Sequence, residues 1–397
     1  MAAGGFALLG HFQTKARDEA LSSAEAGRWV AKSQGELRDD NGAEAVRSAA
    51  HAYRTKPGED TRSALLTALL GVPDLAGTVS LPSDPAQALL WLPDGGLGVA
   101  TRGDALRTFS LPGAASKGWT APRLAGRDGS EIRALRLVAP DRAVAALSDG
   151  SLVAFVPDGR MTELSKGNDG VVWSAAIGPG ARRILRAEGE GAFLVSCGEA
   201  GAPCTPSRVA EEQPCSVALD ETGRLAAIGG QDGRVTIFDA AGVQQGESIA
   251  FASPVTALAF GEGRLAVGIA SGKTAIVDLA SRAVVLRSTA SNRPVGVLAF
   301  RPGRKGQAEL AVTCGENAAC LVRLVAGEDG PAFGQSIRLP GHKGAPTTLS
   351  WSADGAVLAV AYADGIIRAW RPGAIDVVGT RLRPEDASRI ARIALSA

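Results

Sequence analysis

Apolar positions along this chain follow two rhythms, and the change comes near residue 75. Before it they recur at helical spacing. Leu21, Ala24 and Trp29 can share one face of a helix, and Ala45, Val46, Ala49 and Tyr53 one face of a second. Leu65, Leu66, Leu69 and Leu70 mark the apolar side of a third. Asn41 is placed to cap the second helix, and Asp60 or Thr61 the third, because short polar side chains accept from the free N–H groups of a first turn. The pattern predicts a small antiparallel helical segment over 18–75.

From Thr78 onward the apolar runs are short, and Gly, Asp-Gly and Pro-Asp-Gly turns separate them. The phrase Gly-Arg-Leu-Ala occurs at 223–226 and again at 263–266. Extending that slot both ways gives Leu97, Val144, Leu185, Leu225, Leu265, Leu310 and Leu358, with gaps of 47, 41, 40, 40, 45 and 48 residues. A period of roughly 40–45 residues is that of a four-stranded propeller blade. Each copy has the same order of parts: an apolar strand such as "VTALAF", a turn, a second strand such as "RLAAIG", a tight turn, a third strand such as "RVTIFD", and a less regular outer strand. In the fourth copy the tight turn is Asp232-Gly233, whose Asp is a turn acceptor.

The expected fold class is therefore all-β, a seven-bladed β-propeller over 78–374 preceded by the small α-helical segment. Residues 1–17 stand apart as a flexible or membrane-proximal start. Residues 375–397 form a tail in which a short helix from Pro384 would place Ile390, Ile393 and Ala394 on one face. The stretch "TVSL" at 78–81 has the pattern of an outer strand but no blade of its own. It is expected to add to the outside of the last blade and so join the two ends of the array.

The copy at 339–370, "LPGHKGAPTTLSWSADGAVLAVAYADGIIRAW", carries a Gly-His, a Ser-x-Asp-Gly turn, and an Asp-Gly followed by a terminal Trp. With these parts the chain resembles the WD-repeat β-propeller family over about residues 78–374. The resemblance implies a structural hydrogen-bond relay through His342, Asp364 and Trp370. The Ser/Thr of that relay is missing, because the region reads Ala361-Tyr362. Asp232 keeps the turn position in the fourth copy, where Phe238 replaces the Trp. The helical preface resembles the connector before such propellers in large bacterial multidomain proteins, among them signal-transduction ATPases and membrane-tethered kinases. That implies upstream nucleotide-binding or effector modules in a parent or partner chain.

Composition narrows the functions. Lys plus Arg number 42 against 41 Asp plus Glu, so no basic excess argues for nucleic acid. No segment is long and apolar enough to span a bilayer, and membrane attachment is expected only through the N-terminal segment. The five cysteines include two close pairs, Cys197/Cys204 and Cys314/Cys320. Each pair can close a hairpin as a disulfide, implying an oxidising compartment, or lie as small buried thiols in strands. No Cys/His spacing suits zinc.

Motifs for chemistry fail on their physics. Gly272-Lys273-Thr274 sits in a phosphate-loop-like phrase one residue too short, followed by a strand instead of a helix. Gly189 and Gly191 lack the third glycine of a dinucleotide fingerprint. "GGQDGR" lacks the alternating oxygen ligands of a calcium loop. No cofactor, metal or catalytic residue is expected. The expected function is a non-catalytic protein-interaction or sensor platform of a bacterial signalling or defence assembly. The contacts would come from loops that enter the inner strands: His342 and Lys343, Gln213 and Pro214, Ser253 and Pro254. A cytoplasmic location is expected. The alternatives are a membrane-tethered, periplasmic ligand-sensing propeller and an enzyme working in the central channel.

Overall fold

Short β-branched and alanine-rich runs between tight turns favour hairpins, and the second part of the chain is built from them. A computed structural model describes residues 3–373 apart from 39–41, 73, 82–83, 102–103, 111–118, 120–129, 168–169, 199–203, 211–212, 290–292, 304–307, 328–329 and 341–343. The chain divides into a helical unit up to Leu75, which also takes in Arg371, and a β unit from Ala76 to Trp370.

The helical unit holds α1 (Ala3–Arg38), α2 (Gly42–Thr55) and α3 (Glu59–Gly71). α1 begins at Ala3, so the stretch set apart by pattern as a separate start is continuous with the first helix. None of the described helices is long and apolar enough to cross a membrane. Alanines make the seam between the helices. Ala45, Ala49, Ala64 and Ala68 form its centre, with Val30, Leu37, Val46 and Leu65 packed around them. Small side chains let the helix backbones come close, and polar groups lock the approach: Ser33 Oγ donates to Ala45 O at 2.8 Å and Ser48 Oγ to Glu36 Oε2 at 2.8 Å. Trp29 packs against His51 with the rings tilted and their centroids 4.4 Å apart.

Three expectations are corrected here. Tyr53, Leu66, Leu69 and Leu70 are exposed, because the alanines already fill the seam. The third helix is capped at Gly58, not at Asp60 or Thr61. Thr61 lies inside the first turn, where its hydroxyl accepts from Gly58 N at 3.1 Å and donates to Lys56 O at 2.9 Å. Asn41 lies outside the described residues.

The β unit is a seven-bladed propeller. Its inner strands are Ala86–Trp91, Ile132–Ala139, Val172–Ile177, Pro214–Leu219, Val255–Gly261, Leu298–Phe300 and Pro346–Trp351, one for each of blades 1 to 7. Each packs beside the next, and the seventh returns to the first. Outward from each inner strand the second, third and fourth strands pair antiparallel, with three strands described in blade 1. Blade 7 is completed by Leu75–Ser80, which pairs with Ile366–Trp370, so the earliest strand of the chain is the outer strand of its last blade. Leu81 N also donates to Gly365 O at 2.8 Å. This is the closure the pattern around 78–81 leads one to expect.

Apolar layers fill the spaces between blades. Between blades 4 and 5, for example, Val235, Ile237, Val255, Leu265 and Val267 interlock. Gly229 lies at that seam, and a Cβ there would stand 2.3 Å from Val255 Cγ1. The slot residues, six leucines and Val144, fall on the second strands of all seven blades but not all in one register: Ala143, not Val144, is paired with Phe155 in blade 2, and blade 4 slips as well. Ala226, not Leu225, is paired with Phe238, whereas Leu265 is paired with Val277. Leu225 is accordingly half-buried while Leu265 is fully buried.

A buried ion-pair strut in blade 6 reaches across to blade 7. Glu309 takes Arg301 Nη1 on Oε2 at 2.6 Å and Arg323 Nη2 on Oε1 at 2.9 Å. Arg301 Nε donates to Gly355 O at 2.6 Å in blade 7, and its guanidinium lies 5.1 Å from the centroid of Trp351. Burial alone would raise the Glu309 pKa, but the two arginines outweigh it and hold the carboxyl below its usual range. A depressed carboxylate pKa stabilises the fold above the unfolded pKa, and that contribution is lost as pH falls through the folded one. Glu309→Gln leaves Arg301 buried without its counter-charge and is expected to cost about 3 kcal/mol. In thermal scans from about pH 5 down to about pH 3, the wild type should lose stability more steeply than the variant.

Candidate functional site

Inner strands of a propeller end at a ring of loops around the central channel, and here one slot of that ring is irregular in the same way in six blades. The second residue of the inner strand is skipped in the pairing with the second strand. A bulge of this kind turns its side chain out of the ladder. The bulged residues are Gln87, Arg133, Trp173, Cys215, Thr256 and Thr347.

Five of these six reach the neighbouring blade. Gln87 Oε1 accepts from Ile132 N at 3.0 Å, and Arg133 Nε donates to Val172 O at 3.0 Å. Trp173 Nε1 donates to Pro214 O at 2.5 Å, and Thr256 Oγ1 to Val295 O at 2.7 Å. Thr347 Oγ1 donates to Ala86 O at 3.1 Å, which carries the belt from blade 7 back to blade 1. Each bond satisfies a backbone group at or just before the start of the next inner strand, so the rim of the channel is stitched across five of its seven seams.

Cys215 occupies the slot in blade 4 and is the free cysteine; Cys197–Cys204 and Cys314–Cys320 are disulfides. The first bridges the loop after the third-blade strand Gly191–Ser196, and the second spans the hairpin at Gly315. Burial, reinforced by the Asp232 carboxylate, pushes the Cys215 thiol up. A thiol held in its protonated form is a poor nucleophile. Among the described residues no three His, Cys, Asp or Glu side chains group as metal ligands.

The predicted contact residues divide. Gln213 is exposed and Pro254 is exposed, both at entries to inner strands. Ser253 is half-buried. Pro214 is buried and spends its carbonyl on Trp173, so it belongs to the belt and not to the outer surface. His342 and Lys343 lie outside the described residues.

Of the relay residues, Asp364 accepts from Ile366 N at 3.2 Å through Oδ1 and from Gly344 N at 3.1 Å through Oδ2, tying the hairpin turn to the loop that enters the blade. Trp370 is buried. Its indole N–H lies beside the Tyr362 hydroxyl without a well-aligned hydrogen bond. Tyr362 fills the place where the resemblance implies a Ser/Thr hydroxyl, and burial raises its pKa. Asp232 accepts from Arg234 N at 2.9 Å, the same turn bond that Asp149 makes to Ser151 N at 2.8 Å in blade 2. Gly233 completes the Asp232 turn with φ of 81°, and a Cβ there would stand 2.4 Å from Phe251 O.

Sequence reasoning missed Val171 and Trp173. They are 62% and 40% exposed at the channel mouth of blade 3, which makes them the large apolar side chains that this part of the rim offers to solvent. The indole is held by its N–H to Pro214, leaving part of its ring outward. The available signal was a Trp at a slot that carries Gln, Arg, Cys or Thr in other blades.

Comparison with known proteins agrees with this architecture. Residues 334–371, the copy that closes the ring, match the family model "WD domain, G-beta repeat". No curated protein matches the chain. Among solved structures, a chain of the "Crystal Structure of Mitotic Checkpoint Complex" is similar, with a TM-score of 0.60 and 17% identity over 75% of this chain and 91% of that chain. In all, 1670 chains of solved structures match, so the likeness identifies an architecture and selects no function.

The belt makes a quantitative demand. Thr256→Val keeps the shape and removes the donor to Val295 O, leaving a rim carbonyl without its partner. The expected cost is about 1–2 kcal/mol in chemical denaturation, with an unchanged m-value.

Proposed function

We propose that this chain is a non-catalytic, WD-repeat-like propeller that binds a protein partner at the channel mouth of blades 3 to 5. The observation that carries the reading is the partly exposed, hydrogen-bonded Trp173 beside exposed Val171. An aromatic side chain fixed in orientation loses little conformational freedom on binding, which is why tryptophans anchor interfaces. Gln213 and Pro254 supply a polar and an apolar neighbour from the next two blades. The belt holds these positions on a rigid rim, while the thiol of Cys215 stays protonated and inert.

The resemblance of the helical unit extends the proposal. The propeller serves a bacterial signalling or defence assembly, and the helices couple it to nucleotide-binding or effector modules. The two disulfides favour the membrane-tethered reading, with the propeller sensing in an oxidising compartment such as the periplasm, over the cytoplasmic one.

Two measurements test this. With a photo-crosslinker beside Trp173, the protein should capture a discrete partner from its own cell, and Val171→Asp should reduce capture at least tenfold without changing Tm. Turnover of a substrate that depends on residues lining the channel would overturn the reading. For the compartment, protein unfolded and alkylated at lysis should carry one alkylated cysteine before reduction, and reduction should then free the four cysteines of the two disulfides. Five before reduction would place it in a reducing compartment.

A further inference from the structure

The helical unit leaves one side of α3 uncovered. Leu66, Leu69 and Leu70 are 41%, 46% and 78% exposed, on the side away from buried Thr61, Ala64 and Ala68. One exposed leucine is ordinary, but three side by side on one helix form an apolar patch that calls for a cover. A patch of this size is small against the roughly 800 Å² per partner of a stable free complex. It suits a segment already tethered nearby, whose effective concentration is in about the millimolar range.

The chain supplies such a segment. Arg371 N donates to Asp74 O at 2.6 Å, three residues beyond the last residue of α3. Residues 374–397 therefore set out from beside the C-terminal end of the leucine face. Residues 374–383 can reach about 33 Å when extended, and α3 with its 13 residues is about 20 Å long. Beyond them, Pro384, Glu385 and Asp386 have the composition of a helix start, and Ile390, Ile393 and Ala394 fall on one helical face, with Ser388 and Arg392 on the other.

We propose that residues 384–397 of this chain dock as an amphipathic helix on the leucine face of α3, running antiparallel to it. The helical unit is then a bundle whose last member comes from the far end of the sequence, and Ile390 and Ile393 cover Leu66, Leu69 and Leu70.

Cysteine pairing in the full chain tests this, in a Cys215→Ser background. Leu66→Cys is combined in turn with Ile390→Cys, Ile393→Cys, Ser388→Cys and Arg392→Cys, and the crosslinks are mapped by mass spectrometry. The two isoleucine positions should crosslink within one chain at least fivefold more than the other two, at a yield independent of protein concentration. Equal yields at all four positions, or no crosslink at any, would overturn the proposal. Crosslinks that form only between chains would overturn it in favour of a second copy on the same face. Hydrogen exchange on unsubstituted protein guards against damage from the cysteines. A chain ending at residue 383 should exchange several-fold faster over 62–71 than the full chain, and identical exchange would refute docking.

Discussion

The pairing of Leu75–Ser80 with Ile366–Trp370 is the contact on which this molecule depends. A ring of blades has no edges only if its ends are joined, and here the join is a strand supplied by the opposite end of the β unit. Without it the last blade would expose an unpaired strand edge, and blade 7 would be held to blade 1 only by side-chain packing and two side-chain hydrogen bonds, Thr347 Oγ1 to Ala86 O and Trp91 Nε1 to Ser350 O. The first of these is where the belt at the channel mouth crosses that seam. Just beyond the join, Arg371 N donates to Asp74 O.

The seams are not alike. The blade 6–7 seam is crossed by the Arg301 guanidinium, which is held by Glu309 in its own blade and donates to Gly355 O in the next, and several other seams are tied by rim hydrogen bonds. Between blades 4 and 5 the bulged residue is Cys215, and the close approach of Gly229 to Val255 does the packing instead. The platform that presents Trp173, Gln213 and Pro254 thus rests on one hydrogen-bonded seam and one packed seam. Polar ties fix orientation, while apolar packing tolerates small adjustments of the neighbouring loops.

Much of the fold was legible in the sequence because strand, turn and strand recur at a steady period. The turn residues Asp232 and Gly233 had a single sensible place, and the slot residues all fall on second strands. What escaped has physical reasons. Leu66, Leu69 and Leu70 look like a core-facing stripe, yet helices seamed by alanine approach so closely that the leucines are left outside. The Gly-Arg-Leu-Ala match slips by one residue in blade 4, because the pairing follows the turn and not the phrase. Trp173 was hidden within an apolar run. An alternating pattern assigns each residue to one face of a sheet, and a bulge that turns a side chain out of the ladder has no signature in such a pattern.

The closing strand also sets a clock on biosynthesis. Leu75–Ser80 is made early, but its partner strand Ile366–Trp370 is 286 residues further along, the interval from Ser80 to Ile366. At about 5–20 residues per second, that is roughly 15–60 seconds of synthesis. During that interval each new blade can fold against the one before it, while the first strand waits unpaired. The ring therefore closes only once that strand is made, and a chain broken off anywhere before residue 366 keeps an open edge.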